Sequence, residues 1–342
     1  MSEIIRCSLI FTDSIDQDDV YTTILKIPGT TALFKANSTS ENNDDELMEK
    51  MIMPIIEVHE AECKFYDNLA PILDAPVPEV YKTLDWIVGK QDGCIHMEDL
   101  TSRGKNLTFF DDINLTQVQN VIKHIAHMHK NILVTDPIIW KDKYIQDVVK
   151  PLVEKIQKVI TNIDFFHFIF NKTNKNSNLQ PVIVHGDIHL GNILWCIDKN
   201  GNIQDDVAAF VDWQIVHESS PMTDLGRFLT MGPSGKIRRQ AELFAIDYYL
   251  ECLIKEFDGD ASKVPYTAEQ LKESYNYVFL YNILFVISAG VFFFNTVEED
   301  ESNKDKKDAC FENAKLKIQL ACKDAIRLLE GDMKHLLEKF GS

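Results

Sequence analysis

The densest chemistry in the chain lies in Val184-His185-Gly186-Asp187-Ile188-His189-Leu190-Gly191-Asn192-Ile193-Leu194. An apolar strand enters, a polar loop follows, and a second apolar strand leaves. The Asp187 carboxylate and the Asn192 amide stand five residues apart on that loop. A carboxylate so placed can meet an attacking hydroxyl, while the amide oxygen reaches a metal on phosphate groups. Twenty residues beyond Asn192, Phe210-Val211-Asp212-Trp213-Gln214 sets another carboxylate after a β-rich run, where it fits a second ligand of that metal. Mg²⁺ takes oxygen ligands and keeps several waters, so one Asp, one Asn and phosphate oxygens suffice. Such equipment would serve phosphoryl transfer to a hydroxyl, with the metal neutralising charge.

The same loop has a competing reading. His185, Asp187 and His189 would share one face if the segment were a strand, and that face could hold Zn²⁺. This reading leaves Asn192 unexplained and lacks a further convincing ligand. His124, His127 and His129 cluster on one helix, but no carboxylate or cysteine stands at matching spacing, so a partly exposed helix face is expected.

The elements that must position these residues fall into two parts. Arg6–Phe11 and Val20–Ile27 are β-rich and flank an acidic turn at Asp13–Asp19, which predicts a hairpin. A polar loop is expected at Asn37–Asp45. Val58, Ala61, Phe65 and Leu69 share one helical face over Glu57–Leu69, with Pro71, Pro76 and Pro78 ending the helix. Ile87–Leu100 reads as two short strands around the turn dipeptide Asp92-Gly93. Beyond Leu100, Thr116–Leu133 is an amphipathic helix with Asn114 or Thr116 as N-cap, and Tyr144–Phe170 is mostly helical. Asn171–Asn178 reads as a loop, Pro181–Val184 as a strand, and Ile193–Ile197 and Ala208–Val211 as strands about the turn Asp198–Asn202. From Gln240 the pattern is helical, broken near Asp258–Ser262 and Glu298–Asp308. The fold class is therefore α+β: a small β-rich part over 1–100, then a larger, mainly helical part over 102–342, with a cleft between them.

Composition limits the partners. The 342 residues are 45% hydrophobic and carry a formal net charge of -18. Such acidity repels nucleic acid and anionic membranes and tolerates cationic or neutral small molecules. Seven widely spaced cysteines without a Cys-x-x-Cys pair predict a reducing, cytoplasmic setting with no disulfide framework, and Met1–Arg6 lacks a secretory pattern. Tyr275–Thr296 is free of charge and nearly long enough to span a bilayer. Asn276, Asn282 and Ser288 interrupt it, so a buried core helix is expected and no membrane span. The oligomeric state is not legible.

The Asp187–Asn192 separation is that of the catalytic-loop Asp and metal-holding Asn of protein kinases. Together with DWQ at Asp212 and with Met222-Thr223-Asp224-Leu225-Gly226-Arg227-Phe228, the HGDxHxxN pattern resembles the aminoglycoside phosphotransferase and choline kinase superfamily. With Glu62-Cys63-Lys64-Phe65-Tyr66 and Met97-Glu98-Asp99-Leu100 upstream, it most resembles the CHK kinase-like group, related to the ecdysteroid kinases of nematodes and insects. The resemblance covers nearly the whole chain.

It implies a protein-kinase-like bilobal fold with a hinge near 97–101, and ATP and Mg²⁺ as cofactors. The acceptor would be a choline-like, steroid-like or other alcohol. Lys26 would contact the α/β-phosphates and Glu62 would pair with it; Glu60 is a rival that the spacing to Phe65-Tyr66 disfavours. Met97, Glu98, Asp99 and Leu100 would offer backbone hydrogen bonds to adenine. Asp187 would be the base, Asn192 and Asp212 the metal ligands. His185 is expected to pack under the loop and Asp224 to brace it, while His189 stays open between bracing and substrate contact. Trp213 is expected mainly in the core, with a role in lining the cleft left open. The family's first strand and Gly-rich phosphate loop would precede Met1-Ser2-Glu3-Ile4, and no Gly-rich stretch occurs before Gly29. A catalytically weak or inactive binding module is therefore the alternative expectation.

Overall fold

Val20-Tyr-Thr-Thr-Ile-Leu-Lys-Ile is rich in β-branched and aromatic residues, and it forms the strand on which the sheet-side half of the site is built. The computed structural model describes residues 2–13, 20–29, 45–144, 163–174, 179–296 and 304–341. The expected turn at 14–19, the loop at 37–44 and the helical stretch at 145–162 lie outside the described residues. Strand β1 (Ser2–Ile10) pairs antiparallel with β2 (Val20–Pro28), with Ile4 opposite Lys26. The sheet continues through β4 (Cys94–Glu98) to β3 (Val80–Leu84), in the order β1-β2-β4-β3. Lys26 lies opposite Ile95 of β4.

Two expectations are corrected in this region. Ile87 and Gln91 make only an isolated bridge, so β4 does not pair with a strand just before it. Its partner is β3, which the prolines at 76 and 78 disguise as loop. Helix α1 (Asp45–Lys64) runs on through a π turn, Phe65–Leu69, into Ala70–Leu73. Pro71 does not end it, because it falls in the first turn of that last segment, where a missing N–H costs no helical bond. The chain leaves the helix at Asp74, in the left-handed region at φ 51°.

The remainder is mainly helical. Helix α2 (Leu115–Val134) starts at Asn114, whose side chain and that of Gln117 form a reciprocal capping box. Its buried face, including Val118, Val121, Ile122, Ile125 and Ile132, lies in the main core. Strands β5 (Gly104–Asn106), β7 (Ile193–Ile197) and β8 (Ile203–Phe210) form one antiparallel sheet. Strands β6 (Val182–Val184) and β9 (His217–Ser219) form another. Helix α3 (Ile163–Asn174) absorbs the first part of the expected polar loop; 175–178 lie outside the described residues.

Helices α4 (Thr223–Met231), α5 (Gly235–Glu242), α6 (Ala245–Glu256), α7 (Ala268–Thr296), α8 (Lys304–Glu330) and α9 (Lys334–Phe340) complete the chain. Residues 304–308 of the expected acidic loop are helical in α8, and 298–303 lie outside the described residues. Helix α7 buries Val278, Phe279, Leu280 and Val286, as a core helix should. Among the described residues no helix is long and apolar enough to cross a membrane. Helix α4 approaches α7 closely at Gly226, where any Cβ would collide with Val278.

Candidate active site

The loop after β6 is held from beneath by one carboxylate. Asp224, in the first turn of α4, is 1% exposed and accepts hydrogen bonds from His185 N and Gly186 N, both at 2.8 Å. Burial pushes its carboxyl up to about 6, against the pull of those two N–H groups. Gly186 has φ 87°, and a Cβ there would sit 2.6 Å from the carbonyl oxygen of Ile215. Only glycine suits a residue with both constraints.

His185 is fully buried with both ring nitrogens engaged. Nε2 donates to the Val211 carbonyl at 2.9 Å, and Nδ1 accepts from Asp187 N at 3.2 Å. Burial lowers this imidazole to about 4, so the ring is neutral at pH 7. It therefore does not converge with Asp187 and His189 as a metal cluster would. Trp213 lies against His185, with ring centroids 4.4 Å apart, and stacks on Phe65 of the π turn at 3.9 Å. At 1% exposure Trp213 is a floor under the site and does not line a cleft.

Above this floor stand the residues singled out for chemistry. Asp187 is half-buried, with Arg227 Nε 3.4 Å from Oδ1 and His189 Nε2 3.8 Å from Oδ2. His189 Nδ1 accepts from Gly191 N at 3.0 Å, so the ring braces the loop. Asn192 Nδ2 donates to the Asp187 carbonyl at 3.0 Å, which leaves its amide oxygen for another partner. Asp212 has φ 69°, a sparsely populated conformation for an aspartate that stores strain of order 1–3 kcal/mol.

Lys26 brings the sheet to this loop. Its Nζ donates to both oxygens of Glu62, at 2.8 and 2.7 Å, and is paired with Asp212. Glu62 sits in the last turn of α1 just before the π turn, a helix irregularity frequent at functional sites. Glu60 instead pairs on the surface with Lys64. Burial alone would lower Lys26, but the two carboxylates outweigh it and hold its pKa up. Burial likewise opposes ionisation of Asp212, and Lys26 overrides it to hold that carboxyl down. Glu62 is raised, chiefly by burial. One cation thus serves two buried carboxylates, an arrangement with room for a further positive charge. Gln214 donates to the second Asp212 oxygen at 2.9 Å.

Lys26, Glu62, Asn192 and Asp212 line one cavity of about 390 Å³. Apolar side chains from both flanking sheets complete it: Ile4, Ile24 and Met97 from one, Leu194 from the other, with Leu100 and Val211 beside them. Glu98 and Asp99 also border it, but their side chains are engaged elsewhere. Glu98 binds Arg103 at 2.9 Å, and Asp99 binds Arg6 at 2.6 Å and accepts from Thr101 N. A larger cavity, about 650 Å³ between α5, α6, α7 and α8, contains none of these residues.

The sequence reading missed Arg227. The available signal was its place three residues after Asp224, one turn along the same helix. Of the histidines of α2, His124 and His127 stand on a partly exposed face, as expected, where His124 meets Asp206 and His127 meets Asp74 and Glu256. His129 departs from that expectation: it is completely buried against the Tyr249 hydroxyl at 2.9 Å.

A sheet lysine paired to a helix carboxylate, facing an Asp/Asn loop and a following Asp, defines an α+β protein-kinase-like fold. A family model, DUF1679, described as "Uncharacterized oxidoreductase dhs-27", matches residues 137–332, more than half of the chain. The chain belongs to that family. The Caenorhabditis elegans protein named "Uncharacterized oxidoreductase dhs-27" is 24% identical over 318 residues, covering 84% of this chain. The chain spans 38% of that relative's length. Among solved structures, the GDP complex of aminoglycoside 2'-phosphotransferase-IIIa is similar at a TM-score of 0.49 and 9% identity, covering 94% of this chain and 93% of that one. A putative aminoglycoside phosphotransferase from Ralstonia eutropha is similar at a TM-score of 0.45 and 14% identity, covering 94% and 92%.

Proposed function

We propose that the chain is an ATP- and Mg²⁺-dependent phosphotransferase acting on a small-molecule hydroxyl, of the aminoglycoside phosphotransferase and choline kinase superfamily and its CHK kinase-like group. The observation that carries this reading is the meeting of Lys26–Glu62, Asn192 and Asp212 in one cavity with largely apolar walls, with Asp187 on the same loop as Asn192. The apolar walls suit a purine, and the backbone of Met97–Leu100 would offer its hydrogen bonds. Lys26 would hold phosphate oxygens while Glu62 fixes its direction. Asp212 and the free Asn192 oxygen are hard oxygen donors and fit Mg²⁺. The metal, when bound, would neutralise phosphate charge.

In the reaction the acceptor oxygen bonds to the γ-phosphorus as the bond from that phosphorus to the β,γ-bridging oxygen breaks. ADP leaves, and the hydroxyl proton passes to the Asp187 carboxylate. Catalysis rests on positioning and fixed charge, with His185, Asp224 and Trp213 holding the loop still. The boundary between the two lobes would fall at 97–102. An oxidoreductase reading has less support in this segment: every described strand pair is antiparallel, whereas dinucleotide sites of the doubly wound kind need a parallel sheet.

The test is thermal unfolding with and without Mg-ATP, on the wild type and on Asp212→Ala. A ligand that binds only the folded state raises the midpoint. A Mg-dependent rise that is lost in the variant is the expected result. An unchanged wild-type midpoint at millimolar Mg-ATP would sink the proposal.

A further inference from the structure

The acceptor side of Asp187 is unlike the rest of this acidic molecule. Arg227 reaches it from α4, with a side chain only 8% exposed. Its guanidinium lies over the Phe285 ring of α7 at 4.1 Å. Its Nε stands 3.4 Å from Asp187 Oδ1, longer than a charge-assisted hydrogen bond of about 2.7–2.9 Å. Among the described residues the guanidinium, with its five N–H donors, faces one carboxylate, Asp187, at that long distance. An acceptor oxygen arriving beside Asp187 would find further N–H donors of the same fork to accept from. Around it are aromatic rings: Tyr281 lies 5.0 Å from Phe285, and Phe170 lies 5.9 Å from Tyr281.

The charges nearby are offset in part. Asp187 faces Arg227, Asp212 and Glu62 share Lys26, and Asp224 is occupied by two backbone N–H groups. At Asp187 itself the acidity of the chain is thus met by a fixed positive charge. A cationic acceptor would find a fixed positive charge beside the aspartate it must approach, and aromatic rings already taken up in part by a guanidinium.

We propose that Arg227 is a specificity-determining residue: it aligns Asp187, donates to an oxygen of the acceptor, and excludes cationic alcohols in favour of neutral ones with an apolar body. The proposal rests on the phosphotransferase reading and narrows its acceptor class, setting amino alcohols aside. Nothing in it requires the acceptor to be identified, because charge can be varied at constant shape. Choline and 3,3-dimethylbutan-1-ol have nearly the same shape and differ by one positive charge.

The experiment is saturation-transfer NMR titration of these two probes against the full chain with Mg²⁺ and a non-hydrolysable ATP analogue. The wild type should bind the neutral alcohol at least about tenfold more tightly than choline. Arg227→Gln should bring the two to within about threefold of each other, and Arg227→Lys, which keeps the charge, should retain the discrimination. Melting midpoints of all three proteins identify a variant that fails to fold; if Arg227→Gln does, Arg227→Met, uncharged and of similar length, takes its place with the same expected outcome. Choline bound as well as its isostere by the wild type, or no signal from either probe, would overturn the proposal. So would discrimination that persists undiminished in a folded Arg227→Gln. A Mg-ATP melting shift on the same samples separates the two ideas. If the shift is present and the discrimination absent, only the role of Arg227 is lost; if the shift is absent, the phosphotransferase reading fails first.

Discussion

The two walls of the nucleotide-sized cavity are built differently. On the loop side, His185, Asn192, Trp213 and Asp224 are all buried, and each is tied by hydrogen bonds to backbone. On the sheet side, β1 is exposed along nearly its whole length, with Ile4 at 59% and Ile10 at 78%. Lys26, on the neighbouring β2, is buried, and what holds it is charge. The loop wall is therefore pre-organised by the core, whereas the sheet wall depends on one buried ion-pair cluster and an edge strand. Substitutions on the loop side should cost stability and activity together. Those on the sheet side should separate the two.

The most complete effect, on stability and activity together, is expected at Asp224. Asp224→Ala strands two buried backbone N–H groups, at about 1–3 kcal/mol each. Urea unfolding should register a loss of about 3 kcal/mol, with transfer activity abolished. A variant within 0.5 kcal/mol of wild type, roughly the range of surface substitutions, would mean that the loop is not suspended from this carboxylate.

Next comes Lys26→Met, which leaves Glu62 and Asp212 facing each other without a cation. Removing one partner of a buried pair costs about 3–5 kcal/mol, and adding Glu62→Gln should restore part of it. Mg-nucleotide binding should stay weak in the double variant even where stability returns. That separation of stability from binding would distinguish the sheet wall from the loop wall. Full recovery of binding would show that Lys26 serves the fold alone.

How much of this was legible beforehand follows the same division. The loop announced itself because a short apolar run on each side isolates Asp187 and Asn192, and both must leave one loop. The strand Ile193–Ile197 was readable to the residue. Lys26 carried no signal of its own: an isolated strand lysine is usually exposed, and only its register against Ile95 and the approach of α1 bury it. Strand β3 was hidden because Val80–Leu84 follows two prolines and pairs ten to seventeen residues onward in the chain. Arg227 was hidden because it acts across helices, meeting Phe285 nearly sixty residues away. Long-range geometry of this kind has no local pattern.

A smaller effect should appear with acid. Burial lowers His185 and His217 to about 4, and His129 to about 3. A depressed pKa gives stability that is complete above the unfolded value near 6.5 and is lost as pH falls toward 4. Asp224, raised to about 6, works the other way, losing stability as pH rises from about 4 to 6. Three histidines outweigh one carboxyl, so unfolding free energy should drop by a few kcal/mol between pH 6.5 and 5. Denaturant titrations across that range test the sign. In Asp224→Asn the opposing carboxyl is gone, and the acid loss should steepen; a flat profile would show that these rings are not held neutral by the fold.

The smallest effect is the most discriminating for the comparison. Ile4→Ala, on the exposed edge strand, removes a side chain that is already 59% exposed yet borders the cavity. Exposed substitutions usually stay within about 0.5 kcal/mol, so the melting midpoint should hardly move. The lost cavity wall should nevertheless weaken Mg-ATP binding by a few-fold, since each buried methylene is worth about 0.8 kcal/mol. Val211→Ala, on the opposite wall and bonded through its backbone to Asn192 and His185, should lower both quantities. If Ile4→Ala instead destabilises the chain as much as Val211→Ala does, β1 is part of the folding core and the contrast between the walls fails. If it leaves nucleotide binding untouched, base contact belongs to the Met97–Leu100 backbone and the loop wall alone.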